Sequence, residues 1–108
     1  MSNAVSMIHI TTPNRDEAIS ISRTLLHNRL IACANISDHV VSLYHWMGDI
    51  EQNSEAVIVA KTQSALVPQV IEKVKSVHSY DTPAIVSCVL GESNPDYIQW
   101  VIKETTPR

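Results

Sequence analysis

Residues Ile31 to Thr62 hold two long β-forming runs joined by one turn, and this pairing restricts the fold more than any other part of the chain. Ile31 to Trp46 is rich in Val, Ile, Leu, Tyr and Trp, contains no proline, and is long for a strand. Gly48-Asp49 follows as a hairpin turn signal. Glu51 to Thr62 then returns through Ala56-Val57-Ile58-Val59-Ala60, a second β-branched run. Two consecutive long strands closed by a tight turn make an arm that outreaches a domain of 108 residues.

The flanking segments complete the pattern. Val5 to Thr11 is a short β-branched strand closed by Thr12-Pro13. Asn14, three residues before Glu17, starts a helix like a capping box, and Ala18, Ile21, Leu25 and Leu26 keep helical spacing until Asn28. A second helix begins near Ser64, with Pro68 in its first turn and Val67, Val70, Ile71, Val74 and Val77 on one face. The polar connection His78-Ser79-Tyr80-Asp81-Thr82-Pro83 leads to a strand at Ala84 to Leu90. Ser93-Asn94-Pro95-Asp96 caps a short last helix carrying Tyr97, Trp100 and Val101. The order β-α-β-β-α-β plus a C-terminal helix is the α+β, ferredoxin-like split βαβ arrangement: a four-stranded antiparallel sheet with two helices on one face. The opposite face is left bare and apolar, which calls for a partner.

Length fits a single domain over residues 1–108. With 2 Gly and no Phe, the core must rest on aliphatic residues, and glycine-rich phosphate loops are nearly excluded. The net charge of −3, without a basic run, argues against nucleic acid and anionic membrane as partners. The longest apolar run, Ala56 to Ala60, is far below the ~20 residues of a membrane helix. Cys33 and Cys88 make no disulfide framework. Residues 1–6 show no secretory signal and are expected to be a tag or a disordered lead-in, with a scar at residues 2–4, Met7 the natural start and the cytoplasm the compartment.

Four segments together resemble a known family. They are Leu30-Ile31-Ala32-Cys33-Ala34-Asn35; Ser42 to Glu51 with Glu55 and Lys61-Thr62 beyond; His78 to Pro83; and Tyr97-Ile98-Gln99-Trp100. In order and spacing they are similar to the CutA divalent-cation tolerance proteins, from about Met7 to Val101. The resemblance implies a tight homotrimer, an architecture related to the PII signalling proteins, association with copper or another divalent cation, and no enzyme activity. It places His78 at one copper-ligand position, with Val77 where a second histidine stands. It also places Glu51, Glu55 and Lys61 in a polar cleft between subunits.

Each candidate has a plainer reading beside the functional one. His78 offers an imidazole to a soft or borderline metal, or else is a loop histidine bonded to backbone. Cys33 offers a thiolate, or else packs as a small hydrophobe; Cys88 lies in an apolar strand and reads as structural. Tyr44, Trp46, Tyr80 and Trp100 gather on the arm, the connection and the last helix, and read as interface anchors more than core. Glu51, Glu55 and Lys61 otherwise form an ordinary solvated face. His39 and His45 are six apart on one strand, hence on one face, but roughly 20 Å apart and unable to share a metal. His9 lies on the first strand with no partner that the sequence identifies. No nucleophile–base pair is visible, so no catalytic residue is expected. Two functions compete: divalent-metal binding in intersubunit clefts at His78 and Cys33, and a PII-like module that takes a small anion or partner protein there.

Overall fold

Alternation along the first strand separates two environments. In β1 (Val5–Thr12), Ser6, Ile8, Ile10 and Thr12 are buried, Met7 and Thr11 are half-buried, and His9 is exposed. The computed structural model, which describes residues 4–107, continues with α1 (Arg15–His27), β2 (Cys33–Trp46), β3 (Asp49–Gln63), a 3₁₀ turn at Ser64–Leu66, α2 (Val67–Val77), β4 (Ile85–Val89) and α3 (Pro95–Glu104). The strands form one antiparallel sheet in the order β2-β3-β1-β4, the ferredoxin-like arrangement. Ile8 and Ile10 of β1 and Ile58 and Ala60 of β3 pack against Ala18, Ile21 and Leu25 of α1 and Val70 and Val74 of α2. Burial of each large aliphatic side chain contributes roughly 1.5–3 kcal/mol.

The helix starts follow local chemistry. The Asn14 side chain accepts the Glu17 backbone N–H at 2.8 Å, and Asp16 and Glu17 place negative charge in the first turn. Asn94 caps α3 by accepting from Asp96 N at 3.0 Å, with Pro95 next in the chain.

At the N-terminus, Val5 and Ser6 lie inside β1 and are buried, and the Ala4 carbonyl accepts from Ser64 N at 2.9 Å. The remainder of the expected tag falls on residues 1–3, outside the described residues.

Three features differ from expectation. The face opposite α1 and α2 is not wholly bare: α3 crosses one end of it, where Val101 packs with Val5 and Ala32. The hairpin turn is Met47-Gly48, because Trp46 already pairs with Asp49. Both turn residues have positive φ, 49° and 87°, as a two-residue type I′ connection requires. Third, β2 carries a bulge between Ser37 and Val40, with His39 at φ 56° and its N–H bonded to Asp38 Oδ1. The bulge breaks the alternation of β2 at Asp38-His39. Beyond it the arm projects from the sheet, and the long dimension of the protein reaches 45 Å.

Candidate functional site

Beside the root of the arm lies a groove of about 1110 Å³. Thr11, Pro13 and Ala84 line its sheet end, Ser79 to Thr82 form one wall, and Tyr44, Trp46, Glu51, Asn53 and Glu55 of the arm form the other. Glu55 is the buried acid of the site, and the Tyr80 hydroxyl donates to its Oε2 at 2.6 Å. Burial first, and the Glu55 carboxylate second, push the Tyr80 phenol far above its usual range. Asn53 donates its side-chain amide to the Tyr44 hydroxyl across the arm.

The Ser79–Thr82 wall is held by His78. Its side chain is fully buried. Nδ1 accepts the Tyr80 backbone N–H at 3.0 Å, so Nε2 carries the proton and donates to the Thr11 carbonyl at 2.8 Å. Ser79 adds two bonds to Glu17 Oε2, from its backbone N–H at 3.0 Å and its hydroxyl at 2.9 Å. The loop is thereby tied to both β1 and the first turn of α1.

Tyr44, Trp46, Glu51, Glu55 and Tyr80, expected at an interface or cleft, all line this one groove. The other candidates assemble at the opposite end of the sheet. Cys33 and Lys61 are register partners on β2 and β3. The Cys33 thiol lies 3.2 Å from the Tyr97 hydroxyl, and Tyr97 stacks on Trp100 with ring centroids 5.8 Å apart. Burial, then the bond with Cys33, leaves the Tyr97 phenol pushed up to about 12.

One expectation needs correction within the subunit. His78 and Cys33 are not neighbours: His78 bonds Thr11, whose β3 partner is Val57, whereas Cys33 pairs with Lys61. Four strand residues separate those points, roughly 13 Å. Both imidazole nitrogens are already engaged, and among the described residues no group of three or more His, Cys, Asp and Glu is arranged to hold a metal. Sequence reasoning also missed Asp81, Asn53 and Thr11 as groove residues. Asp81 occupies an unspecified position of the His78 to Pro83 segment, Asn53 carries no motif, and nothing in the segment of Thr11 marks it as a groove residue.

The chemistry of the groove is one-sided. Glu51, Glu55 and Asp81 supply carboxylates, Ser, Thr and Tyr supply hydroxyls, and among the described residues no Lys or Arg lines it. Such a lining attracts cations and repels anions.

Comparison with known proteins agrees with this geometry. The family profile described as CutA1 divalent ion tolerance protein matches residues 6–104. A divalent-cation tolerance protein CutA from Pyrococcus horikoshii is 38% identical over 92% of this chain and 96% of its own length. Mouse Protein CutA is 39% identical over 94% of this chain, which spans only 58% of the mouse protein. The crystal structure of the CutA1 divalent ion tolerance protein from Ehrlichia chaffeensis superposes with a TM-score of 0.92 at 41% identity, covering 95% of this chain and 96% of that one. A fold, a hairpin arm and a sequence match that coincide over nearly the whole chain leave one assignment: the protein belongs to the CutA1 divalent ion tolerance family.

Proposed function

We propose that this protein acts as a homotrimer that binds divalent cations weakly in the groove beside the hairpin arm, with a neighbouring subunit closing the site. The observation that carries the reading is the exposed apolar surface of the arm. Val41, Leu43 and Ile50 are 65%, 65% and 71% exposed, beside exposed Trp46 and, on the sheet, Val86. A two-stranded arm bearing that much aliphatic surface needs a covering subunit, and closed symmetry covers every copy equally.

The acidic lining supports the first of the two competing functions. A groove whose described lining holds Glu51, Glu55 and Asp81 and no Lys or Arg suits a divalent ion better than a small anion. Its donors are oxygens, because His78 is committed to positioning Tyr80 and Cys33 stands at the far end. Copper on His78 would require the ring to leave both Thr11 and Tyr80. Binding rather than turnover is the reading in keeping with a family described by divalent ion tolerance. Unpaired Cys33 and Cys88 fit a reducing compartment, the cytoplasm.

Light scattering coupled to size exclusion should give three times 12.0 kDa at micromolar dilution. Calorimetric titration of chelator-stripped protein with manganese(II) and cobalt(II) should show micromolar or weaker binding. The pair Glu55→Gln and Asp81→Asn should weaken it at least about tenfold, a loss of roughly 1.4 kcal/mol. A well-folded monomer, or metal binding untouched by both substitutions, would overturn the proposal.

A further inference from the structure

The sheet face turned away from α1 and α2 carries donors that the groove does not use. Met7 of β1 and Cys88 of β4 are register partners, so their side chains stand together with Cβ atoms about 4.5–5.5 Å apart. His9 is two residues along β1, pairs with Val86, and lies on the diagonal from Cys88 at about 7–8 Å. The shared face is fixed by the alternation: Ile8 and Ile10, between and beyond them, are buried under the helices, whereas His9 and Cys88 are exposed and Met7 is half-buried. The surrounding bed is aliphatic, with Val59 and Val86 flanking His9 on either side.

We infer that Met7, His9 and Cys88 form a copper(I) site, separate from the groove. A thioether, an imidazole and a thiolate within reach of one ion are a soft donor set, and soft sulfur ligands select copper(I) over hard divalent cations. Zinc fits poorly, because it takes thiolate, imidazole and carboxylate in a four-coordinate shell, and this face supplies one thiolate, one imidazole and no carboxylate. One thiolate and one copper(I) ion sum to zero, so loading the ion adds no net charge to that of Lys61, the register partner of Met7. Cys33 stands in the same row of the sheet but beyond Lys61, which pairs with both Met7 and Cys33. That puts it about 10 Å from Met7, with its thiol facing the Tyr97 hydroxyl.

The site is built by one subunit, so it stands or falls independently of the groove reading. The test is an anaerobic titration of the intact, reduced protein with copper(I) against a chromophoric copper(I) chelator. One copper per chain is expected. Cys88→Ser, Met7→Leu and His9→Gln should each weaken binding at least about tenfold, while Cys33→Ser leaves it unchanged. Cys88→Ser and Met7→Leu both conserve volume, so both variants should keep the fold, checked by circular dichroism and light scattering. X-ray absorption should show sulfur and nitrogen scatterers. Copper that follows Cys33, or that survives Cys88→Ser unweakened, overturns the site. Loss of the trimer with copper(I) binding retained would instead sink the groove reading alone.

Discussion

His78 accepts the backbone N–H of Tyr80 on its Nδ1 at 3.0 Å while the two rings lie 4.9 Å apart. The imidazole is thus a brace for the residue that meets Glu55. His78→Ala should remove that brace and orphan the Thr11 carbonyl as well. A loss of about 2–4 kcal/mol is expected from the buried unpaired groups and the cavity. Urea unfolding followed by circular dichroism measures it; a change below about 0.5 kcal/mol would show that His78 is dispensable.

Tyr80→Phe deletes the hydroxyl that donates to Glu55 and leaves a buried carboxylate oxygen without its donor. Stability should fall by about 1–3 kcal/mol. The second substitution in a Tyr80→Phe, Glu55→Gln pair should then cost less than it does alone. A double-mutant cycle with no coupling would contradict the contact.

Alkaline pH should destabilise the fold through both raised phenols. Tyr80 and Tyr97 have folded values above the ordinary 10.0, so each favours the folded state in its neutral form. Their contribution is fully present below pH about 10 and is lost as the pH climbs through the folded values, because the unfolded chain releases those protons first. Urea midpoints measured from pH 8 to 12 should drop above pH about 10, and Tyr97→Phe should make the drop shallower. An equally steep fall in that variant would place the titration elsewhere.

Met47 occupies a left-handed backbone position, φ 49°, in the hairpin turn. Asn tolerates that region far better than an unbranched apolar side chain, and Asn-Gly is the preferred type I′ pair. Met47→Asn should raise the unfolding free energy of the assembly by about 0.5–1 kcal/mol. A lowered melting temperature would mean that Met47, 88% exposed in the lone subunit, is an interface contact.

Leu43→Glu and Trp46→Asp place charge on the two sides of the arm. Each should lower trimer content and melting temperature together, read by light scattering and calorimetry. A variant that stays trimeric with unchanged stability would show that its side of the arm faces water.

Periodicity made the architecture legible. The alternation around Ile8 and Ile10, the helical spacing of Val70 and Val74, and the Asn14 cap each have a local cause that the sequence displays. The turn was displaced by one residue because Met47, an unusual occupant of a left-handed position, hides a type I′ signal that Asn would announce. The groove was partly legible: Tyr44, Glu55 and Tyr80 stood out as residue types, but Asp81 and Thr11 enter through tertiary approach. His78 and Cys33 were expected to meet between subunits, and within one subunit they stand at different ends of the sheet. The role of His9 depends on β4 lying beside β1, a pairing fixed by the whole topology and by nothing in its own segment.

The bulge at Asp38-His39 works as a phase switch for everything distal to it. Ser37 shares its side of the sheet with Val57 and Thr11, so an uninterrupted strand would carry Val41, Leu43 and His45 round to that side. One inserted residue exchanges the two sets: Val40 takes the place opposite Glu55, and Tyr44 the place opposite Glu51. Removing His39 would therefore invert the arm without altering any of its side chains, giving the acids of the groove aliphatic neighbours and turning the aromatic residues outward. The polarity of the site is written in the parity of β2 as much as in its composition.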